Sequence, residues 1–161
     1  MKQITTADLQ KTKESLLESM KKNFKNDISI LPAVFIIAPN GEMTIIPTPY
    51  RNQNEKDAMM GAVRQLCKKI NAVAVCIINE AWVRAIKSED YDKVLKDMKE
   101  TGKRISDYGD KKEVALMMFQ TKELSETITF DMDRVNRELI NKISGETAGG
   151  DFANILSTTK K

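Results

Sequence analysis

From residue 33 onward, apolar runs and amphipathic stretches follow one another in an order that specifies a layered sheet-and-helix core. The run AVFIIA breaks at Pro39-Asn40-Gly41 and returns as MTII. Asn-Gly takes the positive φ values of a tight turn readily, so these two runs predict a β-hairpin. Pro47 and Pro49 end the second strand and leave residues 48–53 as an exposed loop. A helix is predicted next. Met59, Val63, Leu66, Cys67 and Ile70 recur at helical spacing, with Asn54 as the expected N-cap, Asp57 as its reciprocating acid and Asn71 as the stop. The run AVAVCII at 72–78 has no polar alternation, which predicts a central strand buried on both faces. It ends abruptly in Asn79-Glu80-Ala81-Trp82.

The flanks are more polar. Thr5 and Asp8 form a capping-box pattern ahead of a helix whose Leu9, Leu16, Leu17, Met20 and Phe24 share one face, and Asn26-Asp27 closes it. Residues 28–31 read as extended before Pro32. Residues 83–112 form a charged insertion, with Ser88 expected to cap a helix lined by Tyr91, Val94, Leu95 and Met98 and ended by Gly102. Residues 113–121 (EVALMMFQT) predict another near-continuous apolar strand. Residues 127–133 alternate, placing Ile128, Phe130 and Met132 inward and Thr127, Thr129, Asp131 and Asp133 on a wet face. Val135, Leu139, Ile140 and Ile143 predict a short final helix over 135–143, before a glycine-containing tail at 145–161. The expectation is one α+β domain, 1–144, in the order α-β-β-α-β-[α insertion]-β-β-α. It carries a roughly five-stranded, mainly antiparallel sheet with helices packed on it.

Composition narrows the chemistry. With 161 residues, 41% hydrophobic and 30% charged, the chain is ordinary for one globular domain. It has no apolar run of bilayer length, and MKQITTADLQ lacks a signal-peptide core, which predicts a cytoplasmic protein with no membrane partner. Cys67 and Cys76 fall on core faces and read as small hydrophobes. The net charge of +3 does not argue for nucleic acid, although the lysines of the first helix and the tail keep weak nucleic-acid binding as an alternative. The chain has no histidine, which removes imidazole-based triads and histidine-containing zinc sites. The stretch GETAGG lacks the Gly-Lys-Ser/Thr of a phosphate loop. No motif implies a cofactor or a resident metal.

Glu80 and Trp82 are the first candidates for a site, because open sheets tend to place ligands at the ends of buried strands. A desolvated Glu80 would suit acid or base work. The structural alternative pairs Glu80 with Arg84 or Arg64 and leaves Trp82 as a plug at the core edge. Asp57 in a first helical turn is accounted for by the helix dipole. A catalytic role would require it to meet Glu80 across the sheet end and share a divalent cation there. Tyr50 and Arg51 are contact candidates in the exposed proline loop, and Asp131 and Asp133 are accounted for by a solvated sheet face. Met59, Met60, Met117 and Met118 read as adaptable core.

The predicted order of elements resembles profilin-like and roadblock-type domains, which carry helices on an antiparallel five-stranded sheet and serve as scaffolds, sensors and binding modules. The helical insertion departs from their compact form. Over residues 33–122, KDAMMGAVRQLCKKINAVAVCIINEAW followed by KKEVALMMFQT also resembles small bacterial and phage-encoded proteins with a strand ending in Glu-Ala-Trp. That resemblance implies no activity. The expected function is a non-enzymatic interaction or scaffold module that binds another protein or itself. A carboxylate-dependent, metal-assisted phosphoester hydrolase resting on Glu80 and Asp57 is the alternative.

Overall fold

The computed structural model describes residues 3–26, 32–48, 52–83, 87–103, 107–109 and 111–146. The expected extended segment 28–31, Tyr50, Arg51, Arg84 and the tail from residue 147 lie outside the described residues, as does the side chain of Trp82. The elements run α1 (Thr6–Lys25), β1 (Ala33–Ile37), β2 (Met43–Pro47), α2 (Gln53–Ile70), β3 (Ala74–Val83), α3 (Tyr91–Thr101), β4 (Lys112–Thr121), β5 (Ser125–Asp133) and β6 (Glu138–Glu146). The strands form one open six-stranded sheet in the order β2-β1-β3-β4-β5-β6. Every neighbouring pair is antiparallel.

The expected α+β domain is present, with one strand more. Residues 135–143 do not form a helix: Arg134 to Arg137 turn the chain back, and β6 pairs along β5 from Glu138 opposite Asp133 to Glu146 opposite Glu126. The apolar spacing fits a helix locally. However, β5 offers a long open edge, and pairing with it satisfies backbone groups and buries Leu139 against the core. Two left-handed residues make this possible, Arg137 (φ 55°) in the turn and Asn141 (φ 54°) in a bulge where the register shifts. Gly145 therefore belongs to β6 rather than to the tail.

The helix ends follow local chemistry, with two corrections. In α1 the capping box is complete: Thr5 Oγ1 accepts from the Asp8 amide and Asp8 Oδ2 from the Thr5 amide, each at 3.1 Å. The N-cap of α2 is Asn52 instead of Asn54, and its Oδ1 accepts from the Glu55 amide at 2.9 Å. Asp57 lies outside the cap and accepts from Gln53 Nε2 at 2.7 Å. The N-cap of α3 is Asp90 in place of Ser88, which opens a preceding 3₁₀ turn, and Gly102 ends the helix with φ 71°. Tyr91 and Leu95 of α3 are exposed, so that face does not join the core.

Strand alternation sorts the sheet into two cores. On one face, Leu16, Leu17, Met20 and Phe24 of α1 pack on Ile37, Cys76, Ile78, Ala115, Met117, Ile128 and Phe130. On the other, Met60, Val63 and Cys67 of α2 pack on Val34, Ile36, Val75, Ile77 and Met118. β3 contributes alternately to both, as a doubly buried central strand must. Phe24, 1% exposed, is among the largest fully buried side chains. Burial of such a ring contributes about 1.5–3 kcal/mol.

Candidate functional site

The sheet end reached by Glu80 holds a charged cluster. Alternation along β3 puts Glu80 on the face of Cys76 and Ile78, which is the α1 face. Trp82 is opposite Glu113 in the β3–β4 register, so Glu113 emerges on that face as well. Arg134, just past β5, reaches back and donates to both Glu113 oxygens, from Nε at 3.3 Å and from an Nη at 2.5 Å. That hydrogen bond holds the Arg134 guanidinium above its ordinary pKa, and the charges of Glu113 and then Glu80 add to it. Glu80 therefore sits in the field of Arg134, a partner more than fifty residues away in the chain. Its backbone N–H donates to Asn79 Oδ1 at 2.8 Å.

The end of α1 closes the cluster from above. The Arg134 and Arg137 guanidinium groups lie 5.9 and 4.4 Å from the Phe24 ring centre, and Arg137 Nε donates to the Phe24 carbonyl at 3.0 Å. Arg137 thus satisfies a carbonyl at the C-terminus of α1, where a cation is favoured by the helix dipole.

Asp57 is not part of this arrangement. α2 starts near the same sheet end, but it packs on the face opposite Glu80, so the sheet separates the two carboxylates. Among the described residues, no group of three carboxylates or thiols is placed to hold a metal ion. Asp131 and Asp133 lie on the wet α2 face of β5, as alternation predicts. There Asp131 receives hydrogen bonds from Asn141 Nδ2 at 2.7 Å and from Lys112 Nζ at 2.6 Å, which hold its carboxyl below the usual carboxylate range.

Two clefts open on the α1 face. One, about 580 Å³, is lined by Lys21, Lys22, Lys25, Arg137, Glu18 and Glu138. Its cations face carboxylates: Lys25 is 3.6 Å from Glu138 and Lys21 is 3.8 Å from Glu18. It is therefore a mixed surface and not a phosphate-binding stripe. The other cleft, about 350 Å³, lies at the opposite end of the sheet, between the first turns of α1 and the β4–β5 turn.

Sequence reasoning singled out Glu80. Of the partners expected for Glu80, Arg84 lies outside the described residues, and the fold adds the field of Arg134. Arg134 carried no local signal, because a charged residue at a strand end is usually a solvated one. Comparison with family models, curated proteins and solved structures finds no match to this chain.

Proposed function

We propose that this protein is a non-enzymatic interaction module that receives an extended partner, from another protein or from a second copy, along β2. The observation that supports this reading is the contrast between the two edges of the sheet. β2 is an edge strand, and its residues 43–46 (MTII) carry no charge. Met43 and Ile45 are 38% and 58% exposed beside the half-buried Phe35 of β1. Edge strands in natural proteins are commonly guarded by charge, bulge or proline, because their unpaired N–H and C=O groups template strand addition. β6 follows that rule, with a bulge at Asn141, Lys142 in its middle and glutamates at both ends. In β2 only Pro47, at its terminus, does so.

In this reading Glu80 is a member of the structural ion cluster, and its place in the field of Arg134, which also binds Glu113, supports that role. The test is Ile45→Lys. A lysine in the middle of β2 should abolish concentration-dependent self-association in sedimentation velocity, or the recovery of a partner from cells, whichever the unmodified chain shows. Stability should change by less than about 0.5 kcal/mol, because the site is exposed. A chain that is monomeric up to its solubility limit, and has no partner whose recovery depends on Ile45, would overturn the proposal.

A further inference from the structure

The second cleft is an apolar groove beside the point where the described chain ends. Its floor and walls include Ile4, Leu9, Val73, Phe119 and Leu124, with Leu124 51% exposed. Lys13 and Glu126, paired at 2.9 Å, lie along one side. Glu126 is opposite Glu146, the last residue of β6. Adjacent strands are about 5 Å apart, so the chain leaves β6 one strand from the groove.

Fifteen residues follow Glu146, and they contain one apolar cluster, Phe152, Ile155 and Leu156, after the small residues of TAGG. The spacing i, i+3, i+4 is that of successive anchors in helix-in-groove recognition. Five residues lie between Glu146 and Phe152, so the six steps from one to the other reach roughly 20 Å at about 3.3 Å per residue, several strand spacings. Asp151 precedes the cluster, and Lys122 stands at the rim of the groove. A groove of a few hundred Å³ is of the size that takes a small number of apolar side chains.

We infer that this groove is the docking site of the chain's own C-terminal segment, with Phe152, Ile155 and Leu156 as the anchors. A tether this short gives the segment a high effective concentration at the groove, so modest apolar contact suffices to hold it in cis. The inference is independent of β2, which lies at the far edge of the sheet.

The experiment uses the full chain carrying Leu124→Cys and Ile155→Cys under mild oxidation. The two native cysteines are buried, so they do not compete. The control carries Ile143→Cys and Ile155→Cys. Ile143 is 66% exposed and closer in sequence, but alternation places it on the opposite face. Docking predicts a monomeric disulfide-linked species for Leu124 and little for Ile143. Equal yields, or linkage of Leu124 only between two copies or to another protein, overturn it. In a second measurement, Phe152→Asp in the full chain should speed hydrogen exchange at the Leu124 amide about tenfold. Unchanged exchange there also overturns it.

Discussion

Arg134 grips Glu113 with both ends of its guanidinium, and Glu80 lies within the same field, although the three residues come from different strands and a turn. The pair is partly solvated, with Arg134 51% and Glu113 22% exposed, so its net contribution is small despite good geometry. Arg134→Met is expected to cost about 0.5–1 kcal/mol in urea denaturation. Glu80→Gln should cost less than Arg134→Met, and the double variant should cost less than the sum of the two. A fully additive double variant would show that Arg134 does not act on Glu80.

The carboxylates of β5 predict an acid-sensitive stability. The Asp131 carboxyl is lowered by its bonds from Asn141 and Lys112, and that of Asp133 by the amide and side chain of Asn136. A lowered folded-state pKa means that the unfolded chain takes up protons first. The stabilisation is therefore complete above the ordinary value of 3.8 and is lost as pH falls through the folded value. Denaturation midpoints measured from pH 7 downward should fall more steeply below about pH 4 in the unmodified chain than in Asp131→Asn. Parallel profiles would remove Asp131 from the account.

Both thiols should be silent in the native state. Burial pushes Cys76 up to about 12 and also raises Cys67. The thiolate is the reacting form, so a thiol reagent at neutral pH should label neither residue until the chain unfolds. Labelling should then appear with the same urea midpoint as the loss of helix signal. Cys76→Ser should cost about 1–3 kcal/mol, because the hydroxyl is placed where its neighbours are apolar.

The caps give a test of the helix boundaries. Thr5→Ala removes the side-chain arm of the α1 box, the bond that Thr5 Oγ1 accepts from the Asp8 amide, and should cost about 1 kcal/mol, with Asn52→Ala similar at α2. Asn54→Ala should be close to neutral, since Asn54 is exposed and inside the helix.

What the amino-acid sequence determined by itself is the material with strong local periodicity. The β1–β2 hairpin, α1 with its capping box, α2 with its stripe, β3 and β4 all follow from patterns within about twenty residues. Even the wet face of β5 was legible, because Ile128 and Phe130 alternate with threonines and aspartates. Residues 135–143 were not, because Val135, Leu139, Ile140 and Ile143 suit a helix as well as a strand. Only the open edge of β5 decides between them, and it exists only once the sheet has formed. The tertiary structure likewise chose the face on which Glu80 emerges and brought Arg134, from beyond β5, into its field. It set the sheet between Glu80 and Asp57. Strand alternation assigns side chains to two faces but leaves open which helix covers each. That choice rests on contacts between residues distant in the chain, which no local pattern encodes.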